Sequence, residues 1–112
     1  MDNKLVSICV ITFNSSSTII ETLESIYNQT YSPIELIISD DKSTDNTVDL
    51  VNNWLQEKNS RFQNTKLITS EKNTGVTGNV NRACKAASGY YVKDIAGDDS
   101  LLPDYTSICV DY

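Results

Sequence analysis

Residues 34–46 read IELIISDDKSTDN, and the character of the chain changes in one step inside them. Ile34 to Ser39 is an apolar, β-branched run of the kind that fills a parallel strand buried on both faces. Asp40 to Asn46 has no apolar side chain and reads as the loop at that strand's carboxyl end. Ser43 or Thr44 is expected to cap a following helix that carries Val48, Val51 and Leu55 along one side. The same alternation extends in both directions. Upstream, Leu5 to Thr12 (LVSICVIT) is a second buried strand, and Asn14 to Ser17 is a polar break. Ile19, Ile20, Leu23, Ile26 and Tyr27 then recur at helical spacing until Gln29 to Pro33 ends the run. Downstream, Lys66 to Thr69 predicts a short strand and Asn73 to Gly78 a glycine-bearing turn. A helix with Val80, Ala83, Cys84 and Ala87 inward is expected to close on Gly89. Tyr90 to Ile95 is a fourth strand, Gly97 to Ser100 a loop, and Pro103 opens a last helix. Four strands alternating with helices give an α/β fold, with a parallel sheet covered on both faces. No internal boundary divides residues 1–112.

The composition narrows the function classes. A chain of 112 residues with net charge −6 repels a nucleic-acid backbone. It repels a nucleoside diphosphate as well, so binding one calls for a cation at the contact. Without histidine, Ser-His and Cys-His nucleophile chemistry is excluded. Cys9, Cys84 and Cys109 are odd in number and lack CxxC spacing, which fits reduced thiols in a cytosolic setting better than a disulfide framework or a zinc site. Lys4 is followed by a short β-branched run rather than a signal peptide, and no stretch approaches the roughly 18 apolar residues of a membrane span.

The topology gathers three polar clusters at the carboxyl edge of the sheet, where ligands of such folds bind. Adjacent carboxylates at Asp98-Asp99 repel one another, and a hard divalent cation shared with substrate phosphates relieves that repulsion. Asp40-Asp41 can accept hydrogen bonds from a base N–H or a ribose hydroxyl. Thr12-Phe13-Asn14 offers a hydroxyl, a flat ring on which a base can stack, and an amide. Taken singly, each cluster also fits an ordinary loop: a solvated acidic turn, a turn organiser, and a core Phe beside a helix cap. Asn73-Thr74-Gly75 and Gly78 could turn backbone N–H groups toward the phosphates, but they lack the P-loop and GxGxxG patterns, and an ordinary turn is the favoured reading. Asn81 either reaches the strand-end loops or faces water. Cys9 and Cys84 read as small core residues.

Together these segments resemble family 2 glycosyltransferases. VSICVITFN resembles their opening strand, TLESIYNQTY their first helix and its exit, and IELIISDDKSTDNT their second strand with its acidic loop. NTGVTGNVNRACKAASGYYV resembles the following turn, helix and strand. IAGDDSLLP resembles their DxD metal motif, written x-Asp-Asp. The resemblance runs from about Val6 to Pro103. It implies the GT-A fold, a Rossmann-like three-layer α/β/α arrangement, with residues 1–112 as its nucleotide-binding portion, cut after about four strands. It implies a nucleotide-sugar donor, commonly a UDP-sugar. Asp41 would meet the base beside Thr12, Phe13, Asn14 and Asp40; Asp98 would lie near the ribose; Asp99, with Asp98, would hold Mn2+ or Mg2+ on the diphosphate. The implied reaction is inverting transfer to a hydroxyl of a glycan or lipid-linked acceptor in polysaccharide or cell-surface glycan synthesis. The setting would be cytoplasmic, at the inner face of the membrane in a longer protein.

Two departures stand out. Many relatives carry another Asp at Ala96, and they run to well over 200 residues, with the acceptor site and the catalytic base in their second half. No catalytic residue is assigned here. The alternative reading is accordingly a non-catalytic fragment that holds UDP and metal, expected to self-associate through its open last strand. A receiver-type signalling domain would need acidic residues where Thr12-Phe13-Asn14 stands.

Overall fold

The structure, a computed structural model, describes residues 3–111. Its elements alternate: β1 (Val6–Thr12), α1 (Ile19–Tyr27), β2 (Ile34–Asp40), α2 (Thr47–Lys58), a short 3-10 turn (Asn59–Arg61), β3 (Asn64–Thr69), α3 (Gly75–Ala86), β4 (Tyr91–Ala96) and α4 (Tyr105–Asp111). All strands are parallel and their order is β3-β2-β1-β4. Val6 pairs with Ile34 on one side and Tyr91 on the other, so β1 is a central strand.

Strand alternation divides the core into two layers. On one face Val6, Ile8 and Val10 join Ile34, Leu36 and Ile38. They meet Ile19, Leu23 and Ile26 of α1, and Val51 and Trp54 of α2. Trp54 sits edge-on to Tyr27 and beside Phe62, each ring centroid 6.1 Å away. On the opposite face Cys9 and Ile37 pack against Ala83 of α3. The result is a three-layer α/β/α sandwich. Among the described residues no helix is long and apolar enough to cross a membrane.

Glu35 is a buried charge near the amino end of the sheet. Its carboxylate accepts hydrogen bonds from Ser7 Oγ at 2.7 Å, Asn64 Nδ2 at 3.1 Å, and the amide and hydroxyl of Ser88 at 2.9 and 2.8 Å. It therefore ties β1, β3 and the α3–β4 connection to β2. Burial alone would raise its pKa, but those hydrogen bonds hold it down at about 2.

Several local expectations are corrected. Neither Ser43 nor Thr44 caps α2; the helix opens after Asn46, and Ser43 is instead held by Asp40. Of Asn73 to Gly78 only Asn73 and Thr74 lie outside the helix, because α3 already begins at Gly75, whose φ of +80° suits glycine at the entry. Gly89 does not cap α3, which ends at Ala87 in extended geometry. Gly89 instead presses on β1: an added Cβ would lie 2.6 Å from the Ser7 amide nitrogen and hydroxyl. Cys84 is exposed rather than in the core, and so is Cys109. Pro103 precedes α4 by two residues instead of opening it.

Candidate functional site

The strand order reverses between β1 and β4. The two strands are neighbours, yet β1 leads into α1 on one face and β4 arrives from α3 on the other. In open α/β sheets the crevice beyond the strand ends at such a switch point accommodates ligands. A cavity of about 670 Å³ lies there, lined among others by Thr12, Phe13, Asn14, Asp41, Asn79, Asp94 and Asp98.

The loop after β1 is built on Asn14, which takes a left-handed φ of 51°. Its Oδ1 accepts the Thr44 amide at 2.8 Å and the Asp45 amide at 3.3 Å, while its own amide donates to Ser43 Oγ at 2.8 Å. Asp45 accepts the hydroxyl and amide of Thr47 and the amide of Ser16. The Thr47 hydroxyl leads these bonds, which bring the Asp45 pKa down to about 2. The loops after β1 and β2 thus form one hydrogen-bonded rim, and Phe13 projects from it half exposed.

Asp40 and Asp41 divide the work behind that rim. Asp40 is buried and does not line the cavity. It accepts Thr12 Oγ1 at 2.6 Å and the hydroxyl and amide of Ser43 at 2.6 and 2.8 Å. Asp41 does line it. Its Oδ1 accepts the amide and hydroxyl of Thr74 at 2.8 and 2.7 Å, and its Oδ2 accepts the Gly75 amide at 2.9 Å. Burial works against ionisation, yet the Thr74 and Gly75 donors and the Arg82 guanidinium, 3.9 Å away, hold Asp41 below the usual carboxylate range.

The turn after β4 is anchored at Gly97. Its carbonyl accepts the hydroxyls of Thr18 and Thr22, each at 2.9 Å, and its amide donates to Ile11 O. Asp98 and Asp99 are both exposed, but only Asp98 lines the cavity. Asp99 folds back, its Oδ2 accepting the Ala96 amide at 2.9 Å. The alternation that buries Ile95 places Asp94 with Ala96 on the other face of β4.

Among the described residues no cluster of three carboxylate, Cys or His ligands could hold a metal ion alone. Asp98 and Asp99 supply hard oxygen donors, and Asp99 Oδ1 is not engaged by the Ala96 bond. Such a pair suits a divalent cation that draws its remaining ligands from phosphates and water.

Six of the seven residues singled out from the sequence therefore converge on one sheet edge, five of them on the cavity itself, and Asp99 turns back at its margin. Sequence reading missed Asn79 and Arg82, and it weighed Thr74 only as part of a glycine-bearing turn. Of the two readings open for Asn81 the structure gives the one facing water, whereas Asn79 is 1% exposed beneath the site. The signal was present: Asn79 lies one helical turn before the inward Ala83.

The model of glycosyl transferase family 2 matches residues 7–112. The chain is 36% identical to the chondroitin synthase of Escherichia coli over 96% of its own length, but that stretch is 15% of the synthase. The structure of S. aureus TarS 1-349 in complex with UDP superposes with a TM-score of 0.84 and 28% identity, covering 95% of this chain and 31% of that one. The mannosyltransferase PcManGT from Pyrobaculum calidifontis, in complex with GDP-Man and Mn2+, gives a TM-score of 0.85 and 26% identity over 97% of this chain and 31% of its own. The architecture shared with these neighbours is GT-A. The chain spans between 10% and 37% of the length of the curated relatives it matches.

Proposed function

Because this chain belongs to glycosyl transferase family 2, we propose that its strand-edge cavity holds the nucleotide of a nucleotide-diphospho-sugar donor, a UDP-sugar, for inverting transfer to an acceptor hydroxyl. The observation that carries the reading is the convergence of Phe13, Asp41 and Asp98 from three strand ends on one cavity at the switch point. The exposed Phe13 ring gives the base a stacking surface. Asp41, kept ionised by its surroundings, accepts an N–H of the base. Asp98 faces the ribose.

Asp98 and Asp99 are the residues that would hold Mn2+ or Mg2+, and the ion, when bound, offsets charge on the diphosphate. It would answer the demand for a cation that a net charge of −6 makes of any diphosphate ligand. The kinship with PcManGT, seen with Mn2+, and with TarS, seen with UDP, supports both halves of the reading.

In the proposed transfer the acceptor oxygen bonds to the anomeric carbon and the bond from that carbon to the diphosphate breaks. The nucleoside diphosphate leaves with the bonding pair, and the acceptor proton passes to a base. We assign that base to none of the residues described above. The acceptor is a glycan or lipid-linked sugar, and the setting is cytoplasmic.

The test is calorimetry of UDP binding with manganese and with EDTA. Binding that requires the metal is expected. Equal affinity in the two conditions would remove the cation from the proposal, and equal affinity for UDP and other nucleoside diphosphates would remove the base assignment.

A further inference from the structure

Asp41 is not a free carboxylate at a loop tip; it is one station of a closed hydrogen-bonded ring. Its backbone amide donates to Thr12 O at 3.0 Å. The same carbonyl accepts Asn79 Nδ2 at 3.2 Å. Asn79 Oδ1 accepts Arg82 Nη1 at 2.9 Å, and Arg82 Nη2 donates to Thr74 Oγ1 at 2.8 Å. The Thr74 hydroxyl then donates its one proton to Asp41 Oδ1 at 2.7 Å, which closes the ring.

Donor and acceptor types leave this ring one arrangement. Arginine only donates and a carbonyl only accepts, so the Asn79 amide cannot be turned over. Ser39 Oγ, 2.6 Å from Asn79 Oδ1, must be a donor as well. With Arg82 on its lone pair, Thr74 presents its hydrogen to Asp41. Oδ1 of Asp41 is then filled by two donors and Oδ2 by the Gly75 amide, which leaves one acceptor position on Oδ2.

We infer that Asn79 and Arg82 are positioning residues that set Asp41 as a single-acceptor reader of the base, and so determine which nucleotide the cavity prefers. This rests on the UDP-sugar reading above. One remaining acceptor matches a base edge with a lone ring N–H, as in uracil, and underserves guanine, whose neighbouring ring N–H and amino group are both donors. Asn79 also ties this setting to the sheet: it bridges the ends of β1 and β2 from a helix on the opposite layer, and it is buried at the floor of the cavity.

The ring can be tested with and without ligand in the full chain. Affinities for UDP and GDP, each with manganese, are measured for wild type, Arg82→Gln, Arg82→Lys and Asn79→Ala. Arg82 is a partly exposed side chain, so its variants keep the fold measurable if Asn79→Ala unfolds. The UDP-to-GDP affinity ratio is expected to fall at least fivefold in Arg82→Gln. Arg82→Lys keeps the charge but brings one nitrogen to two acceptors, and its ratio stays low. Equal losses for the two nucleotides, or an unchanged ratio in folded variants, would overturn the inference. In the ligand-free arm, exchange of the Thr74 and Gly75 amides is expected to quicken at least tenfold in Arg82→Gln while the amides of α1 hold steady. Unchanged exchange overturns the ring on its own. A wild type that binds neither nucleotide defeats the functional reading instead, and the exchange arm still decides the ring.

Discussion

Asp41 carries the sharpest expectation at the scale of single residues. Removing its carboxylate deletes the proposed contact to the base and frees the Thr74 and Gly75 donors. Asp41→Ala should weaken UDP at least tenfold, about 1.4 kcal/mol, as loss of a charge-assisted hydrogen bond does; calorimetry on the folded variant checks it, and wild-type affinity would refute the assignment. Asp99→Asn keeps an acceptor for the Ala96 amide, so the turn should survive. UDP affinity in that variant should fall close to the wild-type value in EDTA and lose its response to manganese. A variant that still gains affinity from manganese would move the metal elsewhere. Thr12, Phe13, Asn14, Asp41 and Asp98 of the cavity lining were legible in the sequence because parallel topology sends every strand end to one edge. The side chains behind them were less so. Asp40 and Asp41 are chemically alike, and only the fold turns the first inward onto Thr12 and Ser43. Asn79 and Asn81 differ by two positions, which on a helix is the difference between floor and solvent.

The strands were readable to within two residues, because apolar periodicity reports which face is buried, whereas α3 begins at Gly75, well before the expected end of its turn at Gly78. Termini were less readable, because caps and turns depend on partners far along the chain, as Ser43 with Asp40 and Asn14 shows. Glu35 is a case in which an element's stability depends on such partners. Its folded pKa of about 2 lies below the ordinary 4.5, so its contribution is complete above about pH 4.5 and is lost as the pH falls toward 2. The loss is on the order of 3 kcal/mol. Chemical denaturation of wild type between pH 5 and 2 should show this slope, and Glu35→Gln should flatten it while lowering stability at neutral pH. Parallel curves for the two proteins would mean that the clamp is idle. Gly89→Ala should be destabilising by a comparable route, since the new methyl would meet the Ser7 amide at the point where β1 and the α3–β4 connection touch.

For the molecule as a whole, the outer edge of β4 is one of the two open edges of the sheet, β3 lying at the other. Tyr91 and Val92 on that strand are 41% and 46% exposed, and Leu102 and Ile108 beyond it 73% and 53%. An unpaired edge with apolar neighbours favours pairing with another chain, whereas a net charge of −6 on each copy opposes it. Self-association should therefore be weak at low salt and strengthen as salt screens the repulsion. Light scattering across concentration and ionic strength would show it; a monomer under every condition would mean that the charges on the edge, Lys93 and Asp94 among them, guard it fully. The order β3-β2-β1-β4 also has a consequence in time. A ribosome delivers Phe13 and Asp41 before β4, and β1, β2 and β3 can pair while β4 is still being made. Until residues 91–96 emerge, β1 is itself an open edge and the cavity has no second wall. Nucleotide can therefore have no part in assembling the first three strands. In the proposed function it stabilises the sheet only once β4 has closed on β1, so nucleotide binding follows the closing of that edge rather than guiding it.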